Sequence, residues 1–186
     1  MKNAILIPGR PDKDQHYDPN LPSNSQNYWF AWLQRQLILN DILTASIEPP
    51  MPFRPRYDEW AKEFERFDIN AETILVGHSC GGGFLVRYLS EHKELKCGKV
   101  VLVAPWTNPD NDPESDTADF FDFELDPEFP SRTDGVMVLV SSDDYPSVIE
   151  TVEIIERDAP SVEVVHFDGR GHFKNSTLPE ALGVLV

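Results

Sequence analysis

Short apolar runs alternate with longer amphipathic stretches along this chain, and each kind predicts a different element. The runs predict strands at 4–8, 43–47, 73–77, 100–104, 136–140 and 162–167, and the stretches predict helices at 28–39, 57–67, 82–91, 146–157 and from about 178. Val100–Val103 is apolar at every position, which is typical of a parallel strand covered on both faces. The order predicts an α/β fold, a three-layer α/β/α sandwich with a mostly parallel sheet.

The most informative motif is Gly77-His78-Ser79-Cys80-Gly81, between a predicted strand and a predicted helix. A Gly-x-Ser-x-Gly segment in that context is a nucleophile elbow, in which the serine stands on a sharp turn and glycines leave room for the backbone. Glycine-rich turns also bind phosphate, but this one lacks both the Lys-Ser/Thr pair and the Gly-x-Gly-x-x-Gly spacing. Ser79 is therefore a candidate nucleophile.

A nucleophilic serine needs a base and an acid that orients the base, in the chain order serine, acid, histidine for this kind of fold. The strand at 136–140 opens into Ser141-Ser142-Asp143-Asp144, and the pattern leaves the two aspartates nearly even as the acid. The strand at 162–167 leads through a glycine-containing turn to His172, the candidate base. The other histidines are placed as structural or exposed residues, because their positions suit a base poorly. They are His16, His78, His92 and His166.

These motifs, together with Gly171-His172-Phe173-Lys174-Asn175, resemble the retinoblastoma-binding protein 9 family of small α/β-hydrolase serine hydrolases. The resemblance extends over nearly the whole chain, including the first strand before Pro8-Gly9 and the tryptophan-bearing stretch Tyr28–Leu33. It implies a compact α/β-hydrolase fold. It also implies that the second aspartate of the doublet, Asp144, is the triad acid.

The chain departs from that family in two places. Arg10-Pro11-Asp12 follows Gly9, where the family tends to have further glycines. The Leu-x-Cys-x-Glu signature is missing, because Leu95–Lys99 ends in lysine. The partner that named the family is therefore not carried over to this chain.

The reaction expected from these residues is acyl transfer to water, with no metal and no organic cofactor. His172 would take the proton of Ser79 as the serine oxygen attacks a carbonyl, while Asp144 holds the imidazole. The backbone N–H groups of Cys80 and of Arg10, after Gly9, would bind the oxyanion. The substrate is expected to be a small ester, thioester or amide, and the sequence does not choose among them.

The acidic composition limits the partners. Among 186 residues, 32 are acidic and 16 basic, for a net charge of −16, so the chain should repel nucleic acid and anionic membrane surfaces. The length predicts one domain, 1–186. No apolar run approaches the ~18 residues of a membrane span, and the apolar run after Met1 is short for a signal peptide. Cys80 and Cys97 give no support for a disulfide, so a cytoplasmic protein is expected.

The segment 106–131 is strongly acidic, with phenylalanines interleaved among the carboxylates and with no basic residue before Ser131. A calcium loop at 110–121 is a weak alternative, because the glycine and the final glutamate of that motif are missing. The segment is otherwise a solvated loop or a small cap whose aromatics shield the serine and whose charge disfavours anionic substrates.

A second function, from a different class, is compatible with the same sequence. The chain would then be a protein-interaction module on a hydrolase scaffold, with little or no physiological catalysis, because a fold does not determine a function. Its protein partner is unknown, and the acidic segment 106–131 would be the contact surface. Reaction with a serine-directed probe discriminates the two, since a pure binder need not react.

Overall fold

The computed structural model describes residues 2–108, 116–117 and 119–186. The strands are β1 (Asn3–Ile7), β2 (Leu43–Ser46), β3 (Ile74–His78), β4 (Val100–Val103), β5 (Val136–Ser141) and β6 (Glu163–Phe167). The helices are α1 (Lys13–His16), α2 (Phe30–Leu39), α3 (Tyr57–Phe64), α4 (Cys80–Glu91), α5 (Pro146–Asp158) and α6 (Pro179–Leu185). Short 3-10 turns lie at Asn24–Gln26, Asp119–Phe121 and Phe129–Arg132.

The six strands form one sheet in the order β2-β1-β3-β4-β5-β6, and every pairing is parallel. Ala4 pairs with Thr44 of β2 on one side and with Ile74 of β3 on the other. The chain thus adds β2 on one side of β1 and then β3 on the opposite side. This reversal of the strand order makes a switch point between β1 and β3. Crevices at the carboxyl ends of such strands are where ligands bind in α/β sheets.

Successive residues of the strands enter two different cores, one on each face of the sheet. Ile5 of β1 and Leu102 of β4 pack with α3 and α4 on one face, whereas Leu6 of β1 packs with α2 and α6 on the other. Both faces are buried, which explains why these strands are apolar without alternation. The predicted three-layer α/β arrangement is confirmed.

Some predicted boundaries were wrong. The helix predicted from 82 begins at Cys80, directly after the elbow serine, and the helices predicted at 28–39 and 57–67 are shorter. Glycines at 81–83 argue against a helix on propensity alone. Tertiary packing outweighs this low helix propensity here. Helix α4 lies so close to the loop after β4 that a Cβ on Gly83 would overlap the Trp106 carbonyl oxygen. Helix α1 and the 3-10 turns were not predicted.

In the described part of the chain, no helix is long and apolar enough to cross a membrane. Cys80 and Cys97 are both buried and unpaired with each other. The cytoplasmic location and the single domain 1–186 stay predictions from sequence.

Candidate active site

Ser79 lies on a strained turn between β3 and α4. Its backbone has φ 54° and ψ −122°, a conformation that costs a non-glycine residue energy and persists only where the surroundings impose it. The Ser79 N–H donates to the Val103 carbonyl at 2.9 Å. The Ser79 carbonyl accepts from the N–H groups of Gly83 at 3.0 Å and Trp106 at 3.1 Å. The elbow is therefore fixed to β4, to its own helix and to the loop after β4.

The elbow glycines are needed because the backbone of neighbouring elements comes so close. A Cβ on Gly77 would lie 2.6 Å from the Gly81 carbonyl oxygen, and one on Gly81 would lie 2.5 Å from the Pro8 carbonyl oxygen. A Cβ on Gly9 would lie 2.9 Å from the Cβ of Ser79. The loop after β1 therefore lies directly against the serine.

His172 is brought to the same edge of the sheet by the loop after β6. Its Nδ1 lies 2.8 Å from Oδ1 of Asp144, whose side chain is fully buried. The same oxygen accepts the Tyr145 backbone N–H at 2.7 Å. Because a carboxylate only accepts, Nδ1 carries the proton of the neutral His172 imidazole, and in that form Nε2 presents a lone pair.

Asp143 points to the backbone of the histidine loop and has a different set of contacts. Its Oδ1 accepts from the Gly171 N–H at 3.0 Å and from the Ser141 hydroxyl. Those hydrogen bonds, chiefly the one from Ser141, lower the pKa of Asp143 below its ordinary value. The structure therefore separates the doublet, with Asp144 on the imidazole and Asp143 on the loop backbone.

His78 is a contact residue that the sequence did not reveal. It is buried, and its Nε2 lies 2.9 Å from the backbone carbonyl of His172. The two imidazole rings are 4.8 Å apart. The signal in sequence is its position one residue before Ser79, where a polar side chain must turn away from the elbow and into the protein.

A cavity of about 550 Å³ opens at the switch point, and both Ser79 and His172 line it. Its other lining residues mix aromatic, aliphatic and polar side chains, including Arg10, Tyr28, Trp106, Tyr145 and Lys174. His16 also lines it, although position alone suggested a loop residue without a role at the site. The volume is in the range of pockets that hold small organic molecules.

The two predicted oxyanion donors lie at the cavity, where Cys80 and Arg10 both contribute to the lining. Burial raises the pKa of the Cys80 thiol, although the Arg10 side chain and its backbone N–H favour the thiolate. The sulfur is therefore protonated at neutral pH.

A side chain fixes the peptide that carries the Arg10 N–H. Nδ2 of Asn24 donates to the Gly9 carbonyl at 2.6 Å. In a planar trans peptide the carbonyl and the N–H point in opposite directions, so Asn24 also sets the direction of the Arg10 N–H. The Arg10 guanidinium is held separately, by the Phe53 carbonyl at 3.1 Å and by Asp116 at 3.5 Å.

The acidic segment 106–131 contains residues 109–115 and 118, which lie outside the described residues, as does most of the calcium-loop alternative. Of the four phenylalanines in this segment, Phe120, Phe121 and Phe129 are buried in the core and Phe123 packs against it. None of the four lines the cavity. Trp106 does line the cavity. Within the described chain no group of three His, Cys, Asp or Glu side chains is placed to hold a metal ion.

Comparison with known proteins identifies the family. A family model described as serine hydrolase matches residues 19–177. The chain belongs to the serine hydrolase family. The prediction of a hydrolase is thereby confirmed at the level of the family.

The relatives agree with this family. The protein named hydrolase YdeN of Bacillus subtilis strain 168 is 30% identical over 86 residues, which are 44% of this chain and 45% of YdeN. The aligned region thus spans less than half of that relative. The crystal structure of the B. subtilis ydeN gene product superposes with a TM-score of 0.81 at 21% identity, over 100% of this chain and 97% of that one.

Est1E from Butyrivibrio proteoclasticus superposes with a TM-score of 0.67 at 12% identity, over 100% of this chain and 86% of Est1E. At such identities the two superpositions show the fold alone. Together with the parallel sheet, they confirm the α/β-hydrolase fold.

Proposed function

We propose that this chain hydrolyses a small ester, thioester or amide through an acyl-enzyme, with Ser79 as nucleophile, His172 as base and Asp144 as the acid that orients the base. One observation carries the proposal. An elbow serine at φ 54° shares a cavity with a histidine whose Nδ1 lies 2.8 Å from a fully buried carboxylate. Nε2 of that histidine is the atom left to accept the serine proton.

The reaction proceeds in two halves. Ser79 attacks the carbonyl carbon as His172 takes its proton, and His172 then returns that proton to the leaving group. Water repeats the sequence on the acyl-enzyme and releases the acid. The N–H groups of Cys80 and Arg10 hold the oxyanion in both halves, and each such donor contributes on the order of 3 kcal/mol in the transition state. Asn24 supports this role of Arg10 by orienting its peptide.

The substrate and the finer family assignment belong to the same proposal. The cavity of about 550 Å³ suits a small acyl compound, and the reacting groups of the proposed mechanism are all protein groups. The resemblance to the retinoblastoma-binding protein 9 family rests on the Gly-His-Ser-Cys-Gly motif, the aspartate doublet and the segment Gly171–Asn175. It supports Asp144 in preference to Asp143.

A fluorophosphonate probe and a set of short acyl nitrophenyl esters test the proposal directly. Wild-type protein should become covalently labelled and should turn over at least the shorter esters. Ser79→Ala should lose both activities and keep its circular dichroism and unfolding midpoint, because the hydroxyl serves chemistry and little packing. Mass spectrometry of the labelled protein should place the adduct on the peptide that contains Ser79.

Ser131→Ala is the matched control, because Ser131 is an exposed serine whose hydroxyl donates to the nearby Glu128 carbonyl. It should label and turn over as wild type does. A wild-type protein that neither labels nor hydrolyses, beside a known hydrolase that does, would overturn the enzyme proposal and favour the protein-interaction module.

A further inference from the structure

His78 joins the nucleophile elbow to the loop of the proposed base. Its backbone belongs to the end of β3, directly before Ser79, and its side chain is 3% exposed. Nε2 lies 2.9 Å from the His172 carbonyl, although the two residues are 94 positions apart.

The surroundings of His78 fix its protonation. The rings of Tyr28, Trp29 and Phe30 lie within 6.3 Å of its ring, so that the imidazole is enclosed on the face of α2. Burial, with His172 nearby, lowers the pKa of His78 to about 3. The ring is neutral at neutral pH. Because a carbonyl only accepts, the single ring proton must be on Nε2, which donates to His172.

We propose that His78 is a positioning residue for the catalytic base: its Nε2–H holds the His172 backbone carbonyl and so fixes the distance between the imidazole of His172 and Ser79. The inference rests on the proposed function of Ser79 and His172. The fixed point is the elbow itself, since residues 78 and 79 are consecutive. His172 is therefore connected directly to the elbow that carries Ser79, in addition to its own loop.

This contact complements the hydrogen bond that the His172 ring donates to Asp144. The Asp144 contact at 2.8 Å sets the rotation of the imidazole ring, but it leaves the loop backbone free to shift with the carboxylate. The His78 contact holds that backbone against β3. A displacement of about 1 Å in a catalytic group can cost on the order of 100-fold in rate, so removing this contact should act on turnover more than on substrate binding.

Two variants of His78 test the proposal. His78→Met keeps much of the apolar volume and removes the donor, and His78→Gln places an amide N–H near the position of Nε2. Turnover of a short acyl ester should fall about 10- to 100-fold in His78→Met, with a much smaller change in KM. His78→Gln should recover most of that loss. Rates are divided by the concentration of active sites, titrated with a fluorophosphonate.

His92→Met is the matched control. His92 also bonds a backbone carbonyl, that of Tyr88 at 2.8 Å, but it lies at the end of α4, away from the cavity. Its loss should leave turnover per active site unchanged. Unfolding midpoints of all variants show whether any loss of rate follows a loss of folded protein.

A double-mutant cycle provides a readout that a purely structural role would not move. If His78 acts through His172, the losses from His78→Met and from Asp144→Asn should be far from additive, because both act on the same imidazole. The pH profile of kcat/KM should also shift in His78→Met and not in His92→Met.

The outcomes separate this inference from the function on which it rests. If wild type shows no turnover, the proposed function fails. If wild type is active and Ser79→Ala is not, yet His78→Met matches wild type in kcat and pH profile, the positioning role is wrong. Equal losses in His78→Gln and His78→Met, or fully additive losses in the cycle, would also overturn it.

Discussion

Ser79 and His172 lie at the same edge of the sheet but are held in different ways. The elbow after β3 is held by backbone hydrogen bonds and by backbones that lie so close together that only glycine fits between them. The loop of His172 is held by hydrogen bonds between its backbone and the side chains of other residues. The backbone of the elbow therefore holds Ser79 in place by close packing. The loop of His172 depends instead on polar side chains, some of which can titrate and each of which can be substituted.

The glycines of the two halves serve different purposes. A Cβ on Gly81 would overlap the Ile7 and Pro8 carbonyls, so this glycine is required by packing. A Cβ added to Gly169 or Gly171 would meet nothing within 4 Å, but these glycines have φ values of 72° and 50°. They are required by backbone conformation, which an L residue adopts at moderate cost.

The loop that carries His172 has no such close packing and is held by polar contacts instead. Asp143 accepts the Gly171 N–H, the Ser141 hydroxyl accepts the Arg170 N–H at 3.0 Å, and His78 donates to the His172 carbonyl. Each contact is one hydrogen bond, contributing about 0.5–1.5 kcal/mol net between neutral groups and about 1.5–3 kcal/mol to a charged group such as Asp143. Single changes here should therefore have graded effects, whereas a side chain added at an elbow glycine such as Gly81 should strongly destabilise the fold.

The largest expected effect is that of Gly81→Ala. The added Cβ meets backbone atoms that cannot move without separating β1 from α4, so the unfolding free energy should fall by on the order of 4 kcal/mol or more. Gly171→Ala, in open space, should cost about 1–2 kcal/mol, the strain of a left-handed alanine. Urea unfolding of both variants measures the difference, and equal losses would contradict the steric account of the elbow.

The aspartate doublet gives the next largest effect. Asp144→Asn should lower kcat by about 10³- to 10⁴-fold, because an amide no longer enforces the tautomer of His172. Asp143→Asn keeps an oxygen that can accept the Gly171 N–H, so its loss of kcat should be about 10-fold or less. Steady-state kinetics on one short ester compares the two, and a larger loss at Asp143 would reverse their assignment.

Much of this site was predictable because its signals are local. Ser79 lies in a motif whose glycines are adjacent in sequence, and His172 follows a strand and a glycine-containing turn. Parallel strands present their carboxyl ends at one edge, so the pattern of strands alone placed both residues together. The direction in which a β–α loop aims two neighbouring carboxylates is not local, and Asp144 was favoured only through the family resemblance.

The residues that sequence reasoning missed have partners far away in the chain. His78 bonds the backbone of residue 172, and a backbone carbonyl leaves no trace in the sequence. Asn24 bonds the Gly9 carbonyl from an unpredicted 3-10 turn. The phenylalanines of the acidic segment also have partners that are distant in the chain. Phe120 packs edge to face on Trp60, a contact that neither local sequence suggests.

The smallest expected effect is a dependence of the unfolding free energy on pH. It tests whether the loop that carries His172 is held by a titratable group. Folded His78 stays neutral down to its pKa of about 3, whereas the unfolded chain protonates it below about 6.5. The titratable groups that face it are His172 and Lys174, whose positive charges in acid oppose a further charge. The unfolded state thus binds more protons between these values, so the unfolding free energy should fall as pH is lowered through this window.

His78→Gln isolates this contribution, because glutamine keeps a donor but does not titrate. Between pH 6.5 and 4.5 the unfolding free energy of wild type should decrease more steeply than that of the variant, by at most about 1.4 kcal/mol per pH unit. Asp143, whose pKa is lowered, contributes stability that is lost only at lower pH, around and below the ordinary carboxyl pKa of about 4. Urea unfolding at several pH values measures both slopes. Parallel slopes for the two proteins would mean that His78 is not a neutral, buried donor, and the base loop would then need another anchor on β3.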